Sequence, residues 1–139
     1  MTLIPTNDVY LDQPWVLMRW DPEHQCVFAE WRAFATSAEF RGAMTMALAV
    51  GQDHRAISFV SDTRNLEVVT DEDQFWIRHT WAPMAIAAGL KKIGVIIAKR
   101  GLSKMAIEHM FKGRPNTGER LLSRKFDSVA DAWIWLGEP

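Results

Sequence analysis

Hydrophobic and polar positions change period several times along the chain, and each change marks an element. Trp15-Val16-Leu17-Met18-Arg19-Trp20 and Cys26-Val27-Phe28-Ala29-Glu30-Trp31 are short runs rich in aromatic and β-branched side chains. Asp21-Pro22-Glu23-His24 separates them, and Asp followed by Pro suits the opening of a type I turn, so the pair predicts a hairpin. From Thr36 the period lengthens. Phe40, Ala43, Met44, Ala47 and Leu48 recur at helical spacing behind a Thr36-Ser37-Ala38-Glu39 capping box, and Gly51 is the expected stop.

Ala56-Ile57-Ser58-Phe59-Val60 predicts a third strand, which ends in the polar turn Asp62-Thr63-Arg64-Asn65. Thr70-Asp71-Glu72-Asp73 then opens a second helix, with acids where the helix dipole favours them. Pro83 falls inside that helical pattern; it removes a backbone donor and disfavours α geometry at Ala82, so a kink or break is expected near Trp81. Ile93-Gly94-Val95-Ile96-Ile97-Ala98 does not alternate, which is how a central parallel strand buried on both faces reads. Leu102, Met105, Ala106, Met110 and Phe111 mark a third helix, Gly113-Arg114-Pro115-Asn116-Thr117-Gly118 a loop, residues 121–126 a last strand, and a Ser128-Val129-Ala130-Asp131 capping box a closing helix with Ala132, Trp133 and Leu136.

The order β-β-α-β-α-β-α-β-α predicts an α/β fold: a single mixed, mostly parallel sheet of five strands, its first strand antiparallel, with four main helices packed against it. At 139 residues and 48% hydrophobic the chain fits one domain, residues 1–139, with material for a sizeable core. The polar turn at residues 62–65 lies at the carboxyl end of a strand, where open α/β sheets bind ligands and partners. Asp62, Thr63 and Arg64 are therefore the first candidates for function. Lys99 and Arg100, which end a neighbouring parallel strand, are expected beside them.

Charge and composition narrow the classes. Residues 1–90 hold 6 basic against 12 acidic residues, residues 91–139 hold 10 against 5, and every lysine lies at or after Lys91. A sequence pI near 6.4 without a recognised binding motif argues against nucleic acid. The start of the chain lacks the pattern of a signal peptide, and no apolar run is long enough for a transmembrane segment, which together predict a cytoplasmic protein. Cys26 is the only cysteine, and His24, His54, His79 and His109 show no ligand spacing, so a metal is not expected. No nucleophile elbow or phosphate-binding loop appears, and Asp71 and Asp73 suit capping better than acid-base work, which argues against an enzyme.

Several features together bring a family into view. The element order, the Asp62-Thr63 step, Asp73-Gln74 with Trp76, Ala88-Gly89-Leu90-Lys91-Lys92-Ile93 and the closing Ala132, Trp135 and Leu136 resemble the STAS superfamily (sulfate transporter and anti-sigma factor antagonist), in its small stand-alone bacterial SpoIIAA-like branch. The resemblance runs from about Trp15 onward. It implies a signalling domain without metal or organic cofactor that acts by protein–protein contact. Asp62 matches the family's aspartate after the third strand, and Thr63 the position phosphorylated by a partner kinase in an anti-sigma-like regulatory circuit. Residues 64–69 stand here in place of the family's small serine and glycine turn.

Each of these readings has a plainer competitor. Asp62 and Thr63 also suit an Asx or Ser/Thr turn, and Arg64 a local ion pair with Asp62 or Glu67. The seven tryptophans and seven methionines are core material by default, yet a surplus of them also suits a small-molecule pocket. Such a pocket for an apolar or lipid-like molecule is expected beneath residues 64–69, beside Phe75, Trp76, Trp81 and Met84, where a helix broken at Pro83 leaves an opening. Apolar residues also surround more of the third helix than a single core stripe requires, which suggests a homodimer, or Ile107 packed under residues 113–118. The classes rank as a STAS-like regulatory protein, a binder of an apolar ligand, a structural homodimer, and an undetected enzyme.

Overall fold

The alternation of short apolar runs and amphipathic stretches is realised as one mixed sheet with helices on both faces. The computed structural model describes residues 8–112 and 120–138. Its strands are β1 (Val9–Gln13), β2 (Val16–Asp21), β3 (Cys26–Trp31), β4 (Ser58–Asp62), β5 (Lys92–Ile96) and β6 (Leu122–Phe126). Its helices are α1 (Ser37–His54), α2 (Asp71–Trp76), α3 (Ala82–Ala87), α4 (Leu102–Lys112) and α5 (Val129–Leu136). A π-helical turn, Ile77–Trp81, joins α2 to α3, so residues 71–87 form one uninterrupted helical run.

The strands lie side by side in chain order, β1-β2-β3-β4-β5-β6. β1 pairs with β2, and β2 with β3, antiparallel; the remaining three pairings are parallel. Because each crossover moves one strand further in the same direction and crossovers share one hand, their helices fall on the same face. One core cluster accordingly joins α1, α3 and Ile107 of α4 to the inward residues Val27, Ala29, Trp31, Phe59, Ile93 and Val95. The alternate residues Cys26, Phe28, Val60 and Ile96 face the other way and pack with Ala132 of α5.

Three details refine the sequence expectations. The sheet has six strands, because β1 adds an edge whose Val9 and Leu11 are only half-buried and alternate with exposed Tyr10 and Asp12. α1 runs past Gly51 to His54 and stops at Arg55, a left-handed cap with φ 54°. Gly51 instead sits where the helix meets β3, with Val27 Cγ2 3.6 Å from the place a Cβ would take. The kink expected near Trp81 is the π turn: Ala82 donates its N–H to the carbonyl of Ile77, so the helix continues although Pro83 has no N–H for the carbonyl of His79.

The expected Thr36 capping box forms, with Glu39 N–H donating to Thr36 Oγ1 at 3.2 Å and Thr36 N–H to Glu39 Oε1 at 2.9 Å. β5 is an interior strand between β4 and β6, as its unbroken apolar run predicts. Its central position puts β4 and β5 side by side as the floor under the crossover helices.

Candidate functional site: the end of β4 and an apolar cavity

Asp62 is the last residue of β4 and is buried. Arg64 folds back on it: Nε donates to Oδ1 at 3.0 Å and Nη2 to Oδ2 at 2.7 Å, a two-point contact to one carboxylate. The backbone N–H of Arg64 also donates to Asp62 Oδ1 at 3.2 Å, which is an Asx turn. Hydrogen bonding to Asp62 raises the pKa of Arg64 further, against a smaller opposing effect of burial. The local ion pair and turn weighed from the sequence are thus both present.

Thr63 is 4% exposed. Its hydroxyl donates to the carbonyl of Ile96 at 2.7 Å and its N–H to the same oxygen at 2.9 Å, so both of its donors are spent on the end of β5. Lys99 and Arg100 are exposed just beyond β5, and Lys104 Nζ donates to the carbonyl of Lys99 at 3.1 Å. Strand pairing brings β5 alongside β4, which puts these two cations past the same end of the sheet. They make no ion pair with Asp62, whose charge Arg64 already meets.

The second region is the helical run over β4 and β5. Thr70 caps it, accepting from Asp73 N–H at 3.1 Å. The buried Asp73 carboxylate then takes Arg41 Nε at 2.8 Å and the hydroxyl of Ser37, which locks the start of α2 to the start of α1. Gln74 Nε2 donates to the carbonyl of Val69 at 2.9 Å, and its Oε1 lies 2.9 Å from His109 Nδ1 of α4. Trp81, at the end of the π turn, donates its indole N–H to the carbonyl of Met44 at 2.7 Å, and Trp31 donates to Ser61 Oγ at 2.9 Å. Both indoles are satisfied and buried, so they form rigid walls.

Between these walls is a half-enclosed cavity of about 100 Å³. That is several times the roughly 10–15 Å³ that one water needs. β3, β4 and β5 supply its floor through Trp31, Phe59, Ile93 and Val95, and α1 adds Phe40 and Met44. The π turn adds Ile77, Arg78 and Trp81, and α4 closes it with Ile107, Met110 and Phe111. Among a lining that is otherwise mostly apolar are Ser61, Thr63, Ser123 and Arg78. Arg78 Nε and Nη1 are buried and have no hydrogen-bond partner among the described residues.

Of the pocket residues expected from the sequence, Trp81 lines the cavity and so does Leu66 of the overlying loop. Phe75 points outward, 58% exposed, against the ring of His79. Trp76 lies beneath Arg41, whose guanidinium is 5.3 Å from its ring centre, and Met84 is 41% exposed. These three are not lining residues, because one buried stripe of α2 is taken by Asp73 and Gln74 and the π turn rotates the stripe after it. On α4, Ile107 is 3% exposed and Met110 and Phe111 face the cavity, so the apolar excess of this helix has an intramolecular destination. Met105 stays 66% exposed; the side chain of Leu102 and residues 113–118 lie outside the described residues.

Arg78 was legible only as an oddity: it is the single Lys or Arg in positions 65–90, placed in the turn that Pro83 disturbs. Cys26 is fully buried on the α5 face, and its thiol is pushed up to about 12, chiefly by burial. No group of three or more His, Cys, Asp or Glu side chains that could hold a metal occurs among the described residues, and no described helix is long and apolar enough to cross a membrane. No model of a known family matches the chain, and neither a curated protein nor a solved structure does.

Proposed function

We propose that this protein binds a small apolar or amphipathic molecule in the cavity between the sheet and its crossover helices. The observation that carries the reading is the cavity itself: about 100 Å³, floored by three strands and roofed by a π turn. Protein interiors rarely leave such space unfilled, and π turns recur at functional sites. An apolar concavity with a few polar groups is also the usual character of a small-molecule site.

The test uses the natural fluorescence of Trp31 and Trp81, both in the walls. Titration with 1-anilinonaphthalene-8-sulfonate should quench or transfer this emission, and Ala82→Phe, which fills the cavity from the roof, should abolish the response while the protein stays folded. An Ala82→Phe protein that binds the dye as well as the wild type would place the site elsewhere.

A second reading is a STAS-like regulatory protein acting by contact at Asp62, Thr63, Arg64, Lys99 and Arg100. What supports it is place: the first two stand at the carboxyl end of a parallel strand, and the exposed Lys99 and Arg100 lie past the end of its neighbour. Phosphorylation of Thr63 would require its hydroxyl to leave the carbonyl of Ile96. Mass spectrometry of protein from its native host should find phosphate on Thr63, and Arg100→Glu should weaken capture of the partner. Unmodified Thr63, together with partner capture that Asp62→Ala and Arg100→Glu leave unchanged, would remove this reading.

A further inference from the structure

We infer that Arg78 is the head-group anchor of the cavity and that its ligand is a monoanionic amphiphile, an apolar chain ending in a carboxylate. The inference rests on the small-molecule reading above and adds to it the charge and polarity of the ligand.

The other arginines whose side chains are described show how this chain treats a guanidinium. Arg19, Arg32, Arg41 and Arg64 each pair with a carboxylate: Asp21, Asp12, Asp73 and Asp62. Arg124 lies over the ring of Trp135, and Arg55, Arg100 and Arg120 are exposed to water. Arg78 differs from all of them. It is half-buried, two of its nitrogens are shut away from water, and neither finds an acceptor among the described residues.

A buried N–H without an acceptor is costly, more so when it carries charge. Such groups call for an explanation, and here the side chain that carries them lines an apolar cavity, so a small rotation would bring its nitrogens to a ligand. The helical turn that carries it is also fixed. In the π turn Arg78 lies between Ile77 and the outward pair Phe75 and His79, and Trp81, one helical turn on, is fixed by its bond to Met44. The guanidinium cannot deprotonate to relieve the cost, so the relief is an acceptor, and an anion alone meets the hydrogen bonds and the charge together.

The chemistry of that anion follows from the rest of the lining. Among the described residues Arg78 is the only charged one that lines the cavity, so one negative charge balances it and a second would be left unpaired. The remaining walls are aromatic, aliphatic and methionine side chains that suit an alkyl or aryl body. A carboxylate on an apolar chain meets both demands, and a sugar or nucleotide meets neither.

Binding of the homologous series from hexanoate to dodecanoate, and of the matching primary alcohols, is measured through Trp31 and Trp81 emission on the wild type, Arg78→Met and Arg78→Lys. The acid is expected to bind the wild type at least ten-fold more tightly than the alcohol of equal length. Arg78→Met should bring acid and alcohol to equal affinity, and Arg78→Lys should keep part of the preference, since it retains the charge without the planar fork. Wild type that binds alcohol as well as acid, or Arg78→Met that still prefers the acid, overturns the anchor and leaves the cavity reading intact. If no acid or alcohol of any length binds, the cavity reading itself falls and the anchor with it. The wild-type comparison stands by itself should a variant fail to fold.

Discussion

The end of β4 and the π turn each carry an arginine, and the two are handled in opposite ways. Arg64 meets a carboxylate two positions before it, at 2.7 Å and 3.0 Å, and its side chain remains 45% exposed to water. Arg78 has two buried nitrogens and no partner among the described residues. The first region is electrostatically closed; nothing need bind there to complete it. The second keeps an unmet hydrogen-bonding demand beside the cavity. Position at a strand end is thus a weaker guide to a ligand site than an unmet hydrogen-bonding demand next to empty space.

The largest effect that would break this contrast comes from the closed region. Arg64→Met leaves the Asp62 carboxylate, whose side chain is only 9% exposed, with the backbone N–H of position 64 but without its cation. Removing one partner of a largely buried pair strands the other, and a loss of about 2 kcal/mol is expected once the retained N–H is allowed for. Urea denaturation followed by tryptophan emission should show a lower midpoint at unchanged slope. A midpoint within error of the wild type would mean that water reaches Asp62 freely and that the pair is ornamental.

The same substitution at the open region should have the opposite sign. Arg78→Met removes a cation that the empty protein does not satisfy and replaces it with a flexible apolar chain of similar length. Stability of the unliganded protein should rise by about 1 kcal/mol, as when unpaired buried polar groups give way to apolar ones. A fall of that size would show that Arg78 is held by interactions of the folded chain after all, and the two arginines would no longer differ in kind.

The two regions also differ in how far they could be read from the sequence. The α/β alternation, the hairpin, the capping box at Thr36, the N-cap at Ser128, which forms without the reciprocal bond of a box, and the buried β5 were legible because each rests on neighbours within a few residues. So was the Asp62–Arg64 pair, which is local. β1 was not, because an edge strand with one half-covered face carries only Val9 and Leu11 as its inward signal. The pocket residues were partly misplaced for a related reason: helical spacing predicts faces only while the period holds, and the π turn changes it. Trp81 falls on the cavity side of that change, whereas Phe75, Trp76 and Met84 do not. Arg78 could not be read as unpaired, since its solitude depends on which carboxylates the other elements bring near and which they spend on Arg19, Arg32, Arg41 and Arg64.

The smallest expected effect tests what holds the π turn, on which the open region depends. Pro83 has no N–H for the carbonyl of His79, so the turn could be a consequence of that missing bond or of packing on either side. Pro83→Ala restores the donor and with it the option of regular α geometry. Taking that option would rotate the chain beyond it by about 100° relative to α2, since one residue is absorbed into the turn. Ala85 and Leu90, 0% and 2% exposed, would leave the core, and Trp81 would lose the carbonyl of Met44. These losses exceed the gain of one solvent-compensated hydrogen bond, about 1 kcal/mol. The π turn should therefore persist in Pro83→Ala, with stability changed by less than about 0.5 kcal/mol because the new N–H offsets the greater freedom of the unfolded chain. Decanoate affinity should be unaltered. A variant of unchanged stability whose decanoate affinity falls ten-fold would show the reverse: the proline, and not the packing of Trp81 and Ala85, aims Arg78 at the cavity.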